Sequence, residues 1–493
     1  MFLLGTVFTT LCGYFFKVYV ARMLGAEALG IYALGMTVVG LAGVVAAAGL
    51  PQAATRFVAA YSATGDFRRL GRFLWSAMTV LLAANLIGGV CVMLLKSWIA
   101  DRFYHTPALA SYMHFFAIIM VTGALTGFLG QVLAGYKDVA RRTIITSFIG
   151  QSLTMAATIV LLTLGYGFRG YLIAQIFSAM AVVFLLSRTA WNLTPPPARP
   201  LALGLPLLER EVFSFSVVLF AIQILEYLSA QTDKVMLGVF LNAREVGVYS
   251  IATALVAFVA IFLQSLNQIF APTIAELHAS GQNDLLRNLY RTLTKWVFGF
   301  TMPLAFVIMI FSRPLMEIFG REFGEGWSVL AIATLGQLVN CGVGSVGQLL
   351  LMSGEQKKMV RAQAIAVPIG LVINWILIPK LGLMGAAVAA AVTNILLNLL
   401  WLREVQKTLS ILPSRRGYFL LMPPALATLA GVWLVRYGLR GSHHDFLIVI
   451  AGLTVGYSAF VLSSLAIGLD ADDRMLARSA WDLIRRSFGF NPA

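Results

Sequence analysis

The sequence predicts an all-α, polytopic membrane protein: fourteen transmembrane helices, arranged as two parallel six-helix repeats plus two extra C-terminal helices. Three observations lead there. Of 493 residues, 59% are hydrophobic and only 12% charged, against about 45–50% and 25% in soluble domains. The apolar residues gather into runs long enough to cross a bilayer. The chain also resembles itself at a shift of 217 residues.

The apolar runs fall at about 2–21, 29–50, 73–95, 108–133, 143–163, 169–187, 213–240, 246–270, 296–319, 328–352, 362–379, 383–402, 418–435 and 446–467. Helices are expected because hydrocarbon offers no partner to a backbone N–H or C=O outside its own segment. No run alternates with period two, as the strands of a membrane barrel would. The first run lacks a basic start and carries Lys17 near its end, which disfavours a cleaved signal peptide. Cys12, Cys91 and Cys341 lie in apolar runs, so neither a disulfide framework nor a CxxC metal site is expected.

The net charge of +15 would suggest nucleic acid in a soluble protein. Here its placement carries more information. With a cytoplasmic N-terminus, the inner loops and tail hold 24 of the 36 Lys and Arg residues, leaving 12 for outer positions. Arg56, Arg68, Arg69 and Arg72 share one such loop, and Lys357, Lys358 and Arg361 share another. That bias is the positive-inside pattern, and it predicts a multi-pass protein of the cell (inner) membrane with both termini in the cytoplasm.

The 217-residue shift pairs Lys17-Val18 with Lys234-Val235, Leu24 with Leu241, Ala26 with Ala243, Gly30 with Gly247 and Tyr32 with Tyr249. With a drift of two residues it continues: Asp66 and Arg69 fall on Asp284 and Arg287, then Gly135 and Arg142 on Gly354 and Arg361. An even number of spans per repeat gives both halves the same orientation. The expected division is an N-lobe over 1–190, a cytoplasmic Pro-rich linker over 191–211 and a C-lobe over 212–406. Two further helices over 407–467 and a basic amphipathic cytoplasmic tail over 468–493 complete it. Consecutive prolines from Pro195 predict an extended linker, and the tail reads as a helix on the inner headgroups.

Charges at membrane depth are costly, about 2.5–3.5 kcal/mol at a helix centre, and they usually face a cavity or a partner. Lys17 and its repeat mate Lys234 either snorkel to the headgroups or line one shared cavity. Gln223, Glu226 and Asp233 fall on one face of the seventh run. Glu226 either locks the lobes through an ion pair or is a titratable coupling group, with Asp233 beside it. Asp233 and Lys234 are adjacent and point about 100° apart, so a simple pair between them is not expected. Arg56 follows Pro51 on an inward extension of the second run, as a surface charge or an anion contact. Amides in spans commonly join helices. Gln264, Asn267 and Gln268 at i, i+3 and i+4 form the best stripe for hydroxyl-rich cargo, since amides both donate and accept.

No HExxH, Walker loop or GxSxG elbow occurs, and the five histidines show no ligand spacing. No catalytic residue, cofactor or metal is therefore expected. The longest outer loops, about 96–107 and 320–327, cannot house a catalytic domain.

The stretch Ala21-Arg22-Met23-Leu24-Gly25-Ala26-Glu27-Ala28-Leu29-Gly30-Ile31-Tyr32 resembles the first-hairpin signature of polysaccharide and oligosaccharide flippases. Gly49-Leu50, Arg56-Phe57-Val58 and Gly65-Asp66 continue it, as do Thr232-Asp233-Lys234, Leu237-Gly238, Val246-Gly247-Val248-Tyr249-Ser250 and Ala271-Pro272. The resemblance covers about 1–405 and places the chain in the multidrug/oligosaccharidyl-lipid/polysaccharide exporter superfamily. It implies two six-helix lobes, alternating access, and a polyprenyl-diphosphate-linked oligosaccharide as cargo. It also implies membrane lipids and glycan polymerases or glycosyltransferases as partners, and no nucleic acid. Lys17, Lys234 and Arg56 would then hold the diphosphate, with Gln223, Gln264 and Asn267 on the sugars and Glu226 and Asp233 coupling.

The residues weigh against three rival readings. A multidrug/cation antiporter of the same superfamily would carry an acid in the first helix, and residues 2–21 hold none. A lipid II flippase would carry an Arg-rich cavity, where this chain offers Lys17. In Gly65-Asp66 and Arg69-Leu70-Gly71-Arg72 two residues separate Asp66 from the pattern's first Arg, against a major-facilitator loop.

Overall fold

A computed structural model describes residues 2–199, 208–413, 415–439 and 445–467, with side chains from residue 12 onward except at 269, 415–417, 445 and 446. The expected amphipathic tail and residues 200–207 of the linker lie outside the described residues. Within them every regular element is helical.

The first repeat comprises α1 (Phe2–Ala47), α2 (Leu50–Thr64), α3 (Phe67–Leu94), α4 (Met113–Gly135), α5 (Val139–Thr143), α6 (Gln151–Thr163) and α7 (Gly167–Leu193). The second comprises α8 (Arg210–Phe240), α9 (Ala243–Ala279), α10 (Asn283–Ile310), α11 (Ser312–Glu317), α12 (Trp327–Val343), α13 (Val346–Met352), α14 (Gln356–Leu381) and α15 (Leu383–Leu409). Two more, α16 (Arg415–Gly438) and α17 (Asp445–Ile467), end the described chain.

Thirteen helical stretches are long and apolar enough to cross a membrane, the first being Cys12–Ala47. A straight helix of 46 residues would run about 69 Å, over twice the hydrocarbon thickness. The chain turns inside it at Gly25, where φ is 79° and ψ 173°, a conformation open to glycine but costly for other residues. Two arms result, 2–24 and 26–47, each long enough to span, which is compatible with fourteen crossings. Helices overrun the apolar runs at both ends, because their terminal turns sit where headgroups and water can satisfy polar groups.

Connections that read as loops are ordered. Residues 98–103 form a wide π-type turn and Pro107–Tyr112 a 3-10 helix, with Tyr104 buried between them. A second π-type stretch, Ile144–Gly150, joins α5 to α6, and Ser178 on α7 donates to the Gly150 carbonyl at 2.7 Å. The linker is not uniformly extended: Pro195 is extended, but Pro196–Ala198 closes a 3-10 turn, since the fixed φ of proline suits a first helical turn as well.

The two repeats share their local design. In the first, α3 packs on α4, α4 on α7, and α6 on α7. The equivalent pairs in the second are α10 with α12, α12 with α15, and α14 with α15. Turns are shared too. Asp66, Asp138 and Glu355 each follow a residue in the left-handed region, and each pairs with a base three residues on. Asp284 pairs with Arg287 at 2.9 Å in the same way. Such exposed pairs contribute about 0–1 kcal/mol each, so they shape turns rather than hold the bundle. The helices α16 and α17 pack on each other and on α10, with Tyr457 donating to the Phe300 carbonyl at 3.0 Å.

By packing, the chain divides into two compact units, Met1–Ser250 and Ile251–Ala493. The boundary falls after α8 because α8 lies along α1 and α2. A close contact completes the first unit. A Cβ on Gly30 would stand 1.6 Å from the Ala243 carbonyl oxygen, and one on Gly247 would stand 1.9 Å from that of Ala26. These four residues are repeat mates, Ala26 with Ala243 and Gly30 with Gly247, so the contact is symmetric about a local dyad. Small residues four apart let two backbones touch, which is how helices associate where lipid supplies no hydrophobic drive.

Gly30→Ala should therefore destabilise the protein by about 1–3 kcal/mol through overpacking against backbone. Gly123→Ala, where a Cβ meets nothing within 4 Å, should be neutral or gain up to about 1 kcal/mol of helix propensity. Thermal unfolding in detergent reads the difference; equal melting temperatures would show that the Gly30 contact does not form.

Candidate functional site

The local dyad fixes where the two membrane lysines go. Lys17 precedes Gly30 by thirteen residues and Lys234 precedes Gly247 by thirteen, so helices related by the contact bring both to a similar depth. Lys17 is exposed, with no hydrogen bond or carboxylate partner among the described residues. Lys234 donates to Gln231 Oε1, one turn earlier on α8, at 3.0 Å.

Asp233 is engaged elsewhere. Its Oδ1 accepts from the Lys234 backbone N–H at 2.8 Å, and Tyr249 on α9 donates its hydroxyl to Oδ2 at 2.5 Å. The carboxylate therefore faces α9, while the lysine side chain reaches back along α8, as expected for adjacent helical positions. The repeat symmetry breaks here. The mate of Asp233 is Phe16, and the mate of Tyr249, Tyr32, packs edge-on against Tyr171 at 5.1 Å between ring centres.

Other predicted positions on α8 spread over its length. Gln223 is half-buried, and its Nε2 is buried with no hydrogen-bond partner. Glu226 is exposed and makes neither an ion pair nor a hydrogen bond with a described residue. Between them and the lysine, Tyr227 donates to the Thr37 carbonyl at 2.6 Å, and the Thr37 hydroxyl meets the Tyr104 hydroxyl at 3.1 Å. This tyrosine pair fastens α8 to the second arm of α1. Gln264 and Asn267 lie on α9 beyond Ser250, in the second unit. Gln264 is exposed, and Asn267 keeps a buried Oδ1 without a hydrogen-bond partner.

Arg56 stands apart from the lysines, on α2. Its guanidinium lies 3.6 Å from Glu211 and sits over the Phe215 ring, 4.3 Å from the centre. Nearby, Arg72 on α3 approaches Glu209 at 3.8 Å, and Tyr61 on α2 donates to the other Glu209 oxygen at 3.4 Å. Burial, then the charges of Glu209 and Glu211, push the Tyr61 phenol above its ordinary pKa, so it remains a donor. The linker is tied down on the same face: Ala198 is buried against Gly71, and Arg199 stacks on Trp191.

The arrangement can attract an anion. Lys17 and Lys234 are two cations in apolar helices; of the α8 carboxylates at this depth, Asp233 is already satisfied by Tyr249 and Glu226 lies about two turns before Lys234. Sequence reading missed Tyr249, Gln231, Tyr227, Glu209 and Glu211. Tyr249 carried a signal, as the repeat mate of Tyr32. The others carried none, because their roles arise from helix-to-helix registration.

The family described as polysaccharide biosynthesis proteins matches residues 19–331. A probable low-salt glycan biosynthesis flippase of Haloferax volcanii is 26% identical over 185 residues, covering 37% of this chain and 39% of that protein. The capsular polysaccharide biosynthesis protein CapF of Staphylococcus aureus is 23% identical over 189 residues, covering 38% and 47%. The chain thus matches less than half the length of these two relatives. Among solved structures, the lipid II flippase MurJ in an inward closed conformation superposes with a TM-score of 0.72 at 16% identity, over 94% of this chain and 97% of that one. An inward-facing multidrug resistance MATE family transporter of the MOP superfamily gives 0.65 at 16% identity, over 82% and 94%. The fold is therefore shared with both kinds of transporter. With a family match that runs from the first arm of α1 into α12, over more than half its length, the chain belongs to the polysaccharide biosynthesis protein family.

Proposed function

We propose that this protein is a flippase. It moves a polyprenyl-diphosphate-linked oligosaccharide from the cytoplasmic to the outer leaflet by alternating access, in the building of a cell-surface polysaccharide. The observation that carries the reading is the pair Lys17 and Lys234, like charges set thirteen residues before the Gly30–Gly247 contact in each repeat, with no carboxylate paired to Lys17 among the described residues. A site that holds like charges together is poised for an anion of at least two charges, and a diphosphate is one. At about 4 Å and an effective dielectric of 20, each lysine–phosphate contact is worth up to roughly 4 kcal/mol. Membership of a polysaccharide biosynthesis family and the glycan flippase among its relatives point to the same cargo.

The moving bodies are the lobes 1–190 and 212–406, in the cell membrane with both termini cytoplasmic. Lys17, Lys234 and Arg56 hold phosphate, while Gln223, Gln264 and Asn267 meet sugar hydroxyls. Glu226 and Asp233 respond to a coupling ion. Membrane lipids surround the cargo path, and glycan polymerases or glycosyltransferases work beside it. The chain itself catalyses no bond change.

Three expectations follow from these roles. A deletion strain should accumulate the lipid-linked sugar on the inner leaflet, read by leaflet-selective oxidation of the glycan; accumulation on the outer leaflet would place the protein after translocation and end the proposal. In complementation, Lys17→Arg should preserve most activity and Lys17→Ala should lose roughly ten- to a hundredfold, a discounted share of the Coulomb gain for an exposed group. Equal transport by both variants would remove Lys17 from the site. In proteoliposomes, an imposed proton or sodium gradient should accelerate the parent but not Glu226→Gln; an unchanged response in that variant excludes Glu226 from coupling.

A further inference from the structure

The inner end of α8 is held by a backbone approach, the Ser216 carbonyl against Gly49, and in addition by ion pairs. The backbone approach resembles that at Gly30 and Gly247; the ion pairs are the part that can exchange. At the inner end, two carboxylates that open α8, Glu209 and Glu211, reach two arginines of the first repeat. Arg56 and Glu211 are 53% and 65% exposed, and Arg72 and Glu209 are 60% and 31% exposed. Pairs this wet are weak and exchangeable. Yet both arginines are in the geometry to receive an anion: the guanidinium fork suits phosphate, and a diphosphate brings more charge than one carboxylate.

Packing around the pairs says what they restrain. Beyond Glu211, α8 buries Ser216 to 3% exposure, and the carbonyl of Ser216 lies against Gly49 at the start of α2. Phe215 is edge-on to Phe57 at 5.8 Å while Arg56 covers its ring. The arginine therefore meets the carboxylate and an aromatic face at once, and withdrawing Glu211 removes one of these two contacts. Tyr61 and Arg72 hold Glu209 at the same time, so both acids must release for this end of α8 to leave α2.

We propose that Glu209 and Glu211 form a displaceable latch: they occupy Arg72 and Arg56 until a phosphorylated headgroup takes the arginines, and that exchange frees the inner end of α8 from α2. The inference rests on the phosphate-binding role given to Arg56 above and adds an internal competitor for it. The latch keeps the inner end shut when no cargo is present. It also makes α8, rather than a loop, the element that senses the headgroup.

Ser216→Cys supplies the readout, because the side chain is buried against α2 and the change is nearly isosteric. Inside-out vesicles of the full chain are labelled with a membrane-impermeant maleimide, with the parent chain giving the background from Cys12, Cys91 and Cys341. Millimolar inorganic pyrophosphate should speed labelling roughly threefold to tenfold, the range set by two exposed ion pairs, while sodium chloride at equal ionic strength should not. Adding Glu209→Gln and Glu211→Gln should give fast labelling without pyrophosphate and little further gain with it. Slow labelling of that variant overturns the latch and leaves the cargo reading standing. Fast labelling of the variant, with a parent chain indifferent to pyrophosphate, overturns the exchange and the phosphate role of Arg56 together. An equal effect of sodium chloride reduces the response to screening and defeats the proposal.

Discussion

The contact between Gly30 and the Ala243 carbonyl, mirrored by Gly247 and Ala26, organises much of what surrounds it. Two helical turns approach until their backbones touch, and only residues without a Cβ permit it. In lipid, association depends on such packing and on hydrogen bonds, because the solvent is as apolar as the side chains. The contact superimposes one repeat's first hairpin on the other's. From it follow the matching places of Lys17 and Lys234, the seating of α8 along α1, and the reach of Tyr227 to the Thr37 carbonyl.

Against that symmetry, the departures stand out as chemistry. Only the second repeat places a carboxylate before its lysine, and only there does a tyrosine from the next helix bond to it. The first repeat offers Phe16 at the same place and lets Tyr32 pack on Tyr171. Charge is thus added to one half of a duplicated frame without disturbing the frame. Asp233 pairs directly with neither lysine among the described residues, since its oxygens accept from Tyr249 and from backbone.

The two ends of α8 have different surroundings. Just past its last turn, Ala243 and Gly247 at the start of α9 meet Gly30 and Ala26 by close backbone packing. At its first turn a backbone approach of Ser216 to Gly49 is joined by exposed ion pairs, where water and dissolved anions compete for each partner.

Much of the architecture was legible in the residues. Apolar runs foretold the spans because hydrocarbon admits few other backbones. The pairing of Lys17, Gly30 and Tyr32 with Lys234, Gly247 and Tyr249 disclosed the duplication. The turns at Asp66 and Asp138 were not foreseen, although an acid three residues before a base is a short-range pattern. Nor was partner choice. That Arg56 meets Glu211, that Asp233 meets Tyr249, and that packing divides the chain after Ser250 all depend on helix rotation and register between distant segments. A few degrees of rotation decides which side chains face each other, and that angle is set by the whole bundle's packing, which no single stretch of residues encodes.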